Sequence, residues 1–109
     1  MISWDDFSKI EMRVGTVIDV QEFPDAKKPA YKLIIDFGNL GIKKSSAQIT
    51  KLYSKDELLN RQVIAVLNFP PKQIANFISE CLVLGAVDTD NKVILLQPDR
   101  KINNGIRIL

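Results

Sequence analysis

Apolar and polar residues alternate along the first half of the chain as half-buried β-strands require. Over residues 12–21 the alternation predicts one long strand. Val14 and Ile18 fall on the same face of this strand, and Arg13 and Val17 fall on the opposite face, because successive side chains of a strand point in opposite directions. We therefore expect Val14 and Ile18 in the core, with Arg13 on the outer face.

Similar patterns predict further strands and two short helices. A serine followed three residues later by an acid signals a capped helix start, and this spacing occurs at Ser3 with Asp6 and at Ser54 with Glu57. Asn60 tolerates the left-handed conformation that ends a helix. The other predicted strands are residues 31–37, 42–48, 63–67, 81–87 and 93–96, with a connecting segment that runs through residue 77 and a turn at 104–105 that joins two short terminal segments.

The order of these elements indicates the fold class. Three strands, a short helix and two further strands are typical of the OB-fold, a five-stranded Greek-key barrel with one helix between strands three and four. A β-sandwich is the alternative, but it requires about seven strands and no central helix. The sequence therefore predicts an all-β chain with short helices. We expect one domain over residues 1–109, with the barrel at 11–87 and extensions at 1–10 and 88–109.

Composition narrows the possible functions. The 109 residues include no histidine and a single cysteine, Cys81. A Ser–His–Asp triad, a Cys–His pair, the usual zinc sites and an internal disulfide are therefore excluded. We expect no catalytic activity, no cofactor and no metal. The first residues lack the basic and apolar regions of a signal peptide, and no apolar run approaches about 18 residues, so we expect a cytoplasmic protein without membrane insertion.

Charge is distributed unevenly, although the net charge is only +2. Residues 1–26 carry a net charge of −4, residues 27–72 carry +6, and the remainder is neutral. From this count alone, a solvated lysine-bearing surface is the preferred explanation. If the lysines of the middle segment fold onto one face, however, they create a local positive field that attracts anionic partners.

Candidate binding residues come from the predicted barrel. Extended ligands of such barrels lie on strands two and three and on the loops after strands one and four. Lys32 and either Lys43 or Lys44 are predicted on this face, near Arg13. The loops mix cations with aromatic rings, which suits base stacking or the holding of apolar side chains. Their residues are Phe23, Lys27, Lys28, Asn68, Phe69, Pro70, Pro71, Lys72 and Phe77. Core packing remains an alternative for the last two phenylalanines.

Several ordered motifs resemble a known family. Residues 11–15, 23–26, 31–33 and 35–38 resemble the tRNA-binding OB domain that is appended to methionyl- and some other tRNA synthetases. Segments at 45–50, 68–72 and 79–85 look more like the free-standing bacterial members, the CsaA-type secretion chaperones. The resemblance runs from about residue 5 to about residue 98.

The resemblance implies a homodimeric OB barrel that binds ligands without catalysis. CsaA-type proteins are described as chaperones of exported precursors that bind unfolded polypeptide, whereas the domain family is described as tRNA-binding. The ligand-binding positions that it implies are Arg13, Lys32, Ser45, Ser46, Asn68, Phe69, Lys72, Ser79 and Glu80. Two positions depart from the family: Asn76 stands where relatives usually have glycine, and Ile78 replaces a lysine. The loss of that cation favours a polypeptide ligand over nucleic acid.

Two hypotheses therefore stay open. In the first, a homodimer holds apolar side chains of unfolded precursor polypeptides around Phe69, Pro70 and Phe77. In the second, the same basic groove binds tRNA. Apolar residues near both termini support the dimer, because they need cover. They are Trp4, Phe7, Ile106, Ile108 and Leu109.

Overall fold

A computed structural model describes all residues from 1 to 109, and its main feature is a five-stranded antiparallel sheet. Two short α-helices, α1 and α2, and one 3-10 turn accompany the strands. The helices are α1 (Trp4–Ser8) and α2 (Lys55–Leu58), and the strands are β1 (Met12–Glu22), β2 (Tyr31–Asp36), β3 (Ile42–Ala47), β4 (Gln62–Val66), β5 (Lys72–Ile74), β6 (Phe77–Ser79), β7 (Leu82–Val83), β8 (Gly85–Val87) and β9 (Val93–Leu95). None of the helices is long and apolar enough to cross a membrane.

The sheet has the strand order β3-β2-β1-β4-β7 and curls so that its two edge strands meet. The Glu80 amide donates to the Lys44 carbonyl oxygen at 2.8 Å. The Ser45 hydroxyl donates to the Cys81 carbonyl oxygen at 2.9 Å. These contacts join the edges without a regular ladder, so the barrel is nearly closed. The all-β class and the OB-type barrel are confirmed.

The core face of β1 before its bulge is the opposite of the predicted one. Val17 is completely buried and a β-carbon on Gly15 would meet core side chains, whereas Ile18 is 41% exposed. The β1–β2 register shifts between Val17 and Asp19, which is a β-bulge. Because a bulge adds one residue to one strand, it reverses the side-chain alternation beyond it, and Val20 packs against the core as predicted. Val14 is buried, but the expectation that Ile18 lies in the core and Val17 outside was wrong.

Both helix starts are capped as the sequence predicts. The Ser3 hydroxyl accepts from the Asp6 amide while the Asp6 carboxylate accepts from the Ser3 amide. Ser54 and Glu57 form the same reciprocal pair at the start of α2. Asn60 ends this helical segment with a φ of 69°.

The segment after β4 contains a hairpin that the sequence did not indicate. Strands β5 and β6 pair, with Lys72 opposite Ser79 and Ile74 opposite Phe77. The left-handed residue of the turn is Ala75, with a φ of 52°, rather than Asn76. The position at which Asn76 replaces the family's usual glycine is therefore not the left-handed one.

The C-terminal half also differs from the predicted strands. The run at 81–87 is divided into β7, which pairs with β4, and β8, which pairs with β9. The last residues do not form the predicted hairpin of two terminal segments. They pair with the start of β1 instead, since the Gly105 amide donates to the Val14 carbonyl oxygen at 2.7 Å and the Ile108 amide to the Met12 carbonyl oxygen at 2.9 Å.

Candidate functional site

An open groove of about 550 Å³ lies between the end of β3, the β5–β6 hairpin and strands β7 to β9. We call it the apolar groove, because ten of its 17 lining residues are hydrophobic. The walls carry Phe69, Ile74, Leu82, Leu84, Val87 and Val93, and the polar lining includes Ser46, Lys72, Ser79 and Glu80. Its size is in the range of cavities that bind extended or drug-sized ligands.

The apolar walls of the groove face solvent. Phe69 is 54% exposed, Leu82 is 49% exposed and Val87 is 67% exposed. Single exposed apolar side chains are common, but three around one depression form a surface that gains free energy when it is covered. The groove is therefore suited to apolar side chains of a ligand.

The polar groups of the groove mostly have protein partners. The Ser79 hydroxyl oxygen accepts from the Ser46 amide at 3.1 Å, and one Glu80 carboxylate oxygen accepts from the Lys44 amide at 2.9 Å. Lys72, in contrast, forms no ion pair. These contacts fix the groove wall, and they leave the Lys72 ammonium group free to meet a ligand.

Two lysines lie over two phenylalanine rings next to this groove. The ring centroids of Phe23 and Phe77 are 5.5 Å apart in an edge-to-face arrangement. The Lys32 ammonium nitrogen is 4.8 Å from the Phe23 centroid, and that of Lys44 is 5.4 Å from the Phe77 centroid. We call these four residues the lysine platform. Cation–π contacts of this kind attract each ammonium group to a ring face and so restrict its motion.

The two late phenylalanines have different environments. Phe77 is only 8% exposed and packs with Phe23 and Ala30 in a small second core, so core packing and support of the lysines are both its roles. Phe69 lines the groove and is largely exposed. Ser45 is completely buried at the closure of the barrel.

Arg13 and Asn68 do not line the groove. The Arg13 guanidinium group bonds the Glu11 carboxylate at 3.2 Å and the Gly105 carbonyl oxygen at 3.0 Å. The Asn68 side chain accepts from the Glu11 amide at 3.0 Å and donates to the Lys9 carbonyl oxygen at 2.6 Å. Both side chains therefore hold the terminal extensions against the barrel.

The groove and platform together contain seven of the ten predicted ligand-binding residues. Ser46, Phe69, Lys72, Ser79 and Glu80 line the groove, and Lys32 and Phe77 form part of the platform. The sequence did not single out the wall formed by Leu82, Leu84, Val87 and Val93. The available signal was the apolar run at 81–87. Because this run is divided into the short strands β7 and β8, it lacks a second covering layer, and side chains such as Leu82 and Val87 remain exposed.

Cys81 lines the groove, but its thiol is not a reactive nucleophile. Burial raises the pKa of its thiol to about 11. The thiol donates weakly to the Lys44 carbonyl oxygen at 3.8 Å. Because the thiolate is the reactive form, the thiol is unreactive near neutral pH.

Comparison with known proteins shows which family the chain belongs to. Residues 12–107 match the family model described as "Putative tRNA binding domain". The chain therefore belongs to the tRNA-binding domain family. Methionine–tRNA ligase of Thermococcus onnurineus is 40% identical over 98% of this chain, and that of Pyrococcus furiosus is 37% identical over the same share. The chain spans only 14% of the length of each of these relatives.

Solved structures of two named proteins cover the chain completely. Chaperone CsaA of Bacillus anthracis str. Ames superposes with a TM-score of 0.95 at 50% identity, over 100% of this chain and 99% of that one. The CsaA chaperone protein of Picrophilus torridus superposes with a TM-score of 0.93 at 59% identity, over 100% of both chains. The resemblance to the CsaA-type proteins is confirmed.

Proposed function

We propose that this chain is a non-catalytic chaperone that binds unfolded precursor polypeptides in the apolar groove. The observation that carries the proposal is the exposure of Phe69, Leu82 and Val87 around one depression. Covering one side chain of leucine or phenylalanine size stabilises a complex by about 1.5–3 kcal/mol. A few such contacts suffice for reversible capture of a flexible chain, which loses conformational entropy on binding.

The names of the similar structures support this proposal. Both proteins from Bacillus anthracis and Picrophilus torridus are called CsaA chaperones, and both match this chain from end to end. Binding in the cytoplasm before export is the role that the resemblance implies for such a chain.

Peptide binding by groove variants tests the proposal. The probe is a short fluorescein-labelled peptide with leucines at alternate positions and no net charge, and the measurement is fluorescence anisotropy. Leu82→Ser and Val87→Ser are each expected to weaken binding about tenfold, which corresponds to about 1.4 kcal/mol. Ile42→Ser is the matched control, because Ile42 is 61% exposed and lies outside the groove. Equal losses in all three variants, or no binding by the unchanged protein, would contradict the proposal.

A homodimer is part of the same proposal. Trp4 is 90% exposed and Leu109 is 93% exposed. The two ends lie together, because the Arg107 guanidinium group donates to the Ser8 carbonyl oxygen at 2.7 Å. A second copy is the simplest cover for this apolar surface. Light scattering is expected to give twice the 12.3 kDa chain mass, and a monomer at micromolar concentration contradicts the proposal.

Binding of tRNA is the second candidate, and the lysine platform favours it. Lys32 and Lys44 present two held ammonium groups over aromatic rings, and the family model is named for tRNA binding. Each neutralised phosphate makes log affinity fall by roughly 0.7 to 0.9 per unit of log salt. Combining Lys32→Gln with Lys44→Gln is expected to reduce this slope by about two, whereas Lys92→Gln with Lys101→Gln leaves it unchanged.

A further inference from the structure

The apolar groove and the lysine platform are contiguous along β3. Ser46 lines the groove, and it is the direct cross-strand partner of Lys32 on β2. Opposed residues of antiparallel strands have Cα atoms about 4.5–5.5 Å apart. A groove residue and a platform residue are therefore immediate neighbours.

The β5–β6 hairpin forms a wall of both surfaces. Lys72 pairs with Ser79, and Ile74 pairs with Phe77, so the four side chains share one face of the hairpin. The end with Lys72 and Ser79 lines the groove, whereas Phe77 supports the lysines. Ile74 belongs to both, because it lines the groove and packs against the cluster of Phe23 and Phe77.

This spacing leaves too little room for two polymers. An extended polypeptide keeps about 5 Å between its backbone and a paired strand, and about 10 Å when its side chains lie between two layers. The separation of Ser46 and Lys32 is about the smaller of these two distances and about half the larger one. A phosphate backbone that contacts Lys32 and Lys44 therefore occupies the space that a polypeptide needs where it leaves the groove.

We propose that RNA on the lysine platform and polypeptide in the apolar groove exclude each other, so that RNA binding releases the polypeptide. The inference rests on the proposed function of the groove and on RNA binding by the platform. Exclusion is reciprocal. If RNA lowers the affinity for polypeptide by a given factor, polypeptide must lower the affinity for RNA by the same factor. The protein then exchanges one class of polymer for the other and does not bridge them.

A competition experiment tests this exclusion. The neutral leucine-containing peptide is bound to the unchanged protein, unfractionated tRNA is added at constant salt, and the peptide anisotropy is followed. Saturating tRNA is expected to raise the apparent peptide Kd about tenfold or more and to return the anisotropy to that of free peptide. Lys32→Gln combined with Lys44→Gln shifts the displacement to higher tRNA concentrations. Lys92→Gln combined with Lys101→Gln removes the same charge outside the platform. Displacement by this variant is expected at the tRNA concentration found for the unchanged protein.

Different failures have different consequences. If the anisotropy rises further at saturating tRNA, a ternary complex forms, and this result overturns the exclusion while the proposed groove function stands. If no peptide binds before tRNA is added, the groove function and the exclusion are both overturned. If tRNA does not bind at all, the exclusion is overturned and the groove function stands. Thermal denaturation of each variant separates unfolding from loss of a contact.

Discussion

The aromatic ring of Phe37 lies against the α-carbon of Gly15 in the centre of the barrel. A β-carbon added at Gly15 would lie 2.6 Å from a Phe37 ring carbon and 2.7 Å from a methyl group of Ile35. All three residues are buried. The glycine is required because the ring of Phe37, the largest fully buried side chain, occupies the space that any other residue would need.

Gly15→Ala is therefore expected to destabilise the fold by about 1–3 kcal/mol, because overpacking forces neighbouring side chains out of their preferred rotamers. Urea denaturation measures this change. Phe37→Leu creates room beside Gly15, so the double variant is expected to lose less stability than the sum of the two single variants. Strict additivity would show that the two residues do not share this space.

The turn of the β5–β6 hairpin offers a test at a single backbone position. Ala75 has a φ of 52°, a conformation that costs a residue with a β-carbon about 1–2 kcal/mol. Ala75→Gly removes this strain and adds some backbone entropy to the unfolded chain. We expect a gain in unfolding free energy of up to about 1 kcal/mol in urea denaturation. Asn76→Gly is the control. If it stabilises the protein more than Ala75→Gly does, residue 75 is not the strained left-handed position.

The sequence predicted those elements whose signals are local. Ser54 and Glu57 are three residues apart, and their capping box needs nothing else. The alternation from Tyr31 to Phe37 depends only on which face of one strand meets the core. Because these signals lie within one element, the early strands and both helix starts followed from the pattern, and the order of the elements along the chain then indicated the barrel.

The remaining features depend on contacts between distant residues. The inward face of β1 was predicted wrongly because Val17 and Ile18 are both apolar and either fits the core, and the bulge that follows Val17 has no signal within the strand. Arg13 bonds Gly105, which is 92 positions away, so its outer-face position alone could not reveal this role. The groove likewise forms only when the barrel closes between β3 and β7 and the hairpin folds beside it. Its walls therefore could not be assembled from periodicity.

Asn68 separates a structural role from a binding role. Its side chain holds the link between α1 and β1 through the Glu11 amide and the Lys9 carbonyl oxygen. Asn68→Ala removes both hydrogen bonds, and we expect a loss of about 1–2 kcal/mol in unfolding free energy. Peptide affinity at a temperature where the variant is folded is expected to change less than twofold. A tenfold loss of affinity with unchanged stability would return Asn68 to the ligand site.

The buried thiol of Cys81 makes stability depend on alkaline pH. Its folded pKa is about 11, because burial disfavours the thiolate, and its reference value is 9.0. Between these two values the unfolded chain has lost the proton and the folded chain keeps it, so stability falls as pH rises. The stabilisation is fully present below pH 9 and is lost as pH approaches 11, with a maximum effect of about 2–3 kcal/mol.

Other groups also titrate in that range, so the test compares two proteins. Urea denaturation of the unchanged protein and of Cys81→Ala at pH 8, 9 and 10 gives two curves of stability against pH. We expect the unchanged protein to lose more stability than the variant over this interval, because only the unchanged protein carries the buried thiol of Cys81. Modification by a thiol reagent at pH 8 is expected to be slow until urea unfolds the chain. Parallel curves, together with rapid modification of the folded protein, would show that the thiol is accessible and ionises normally.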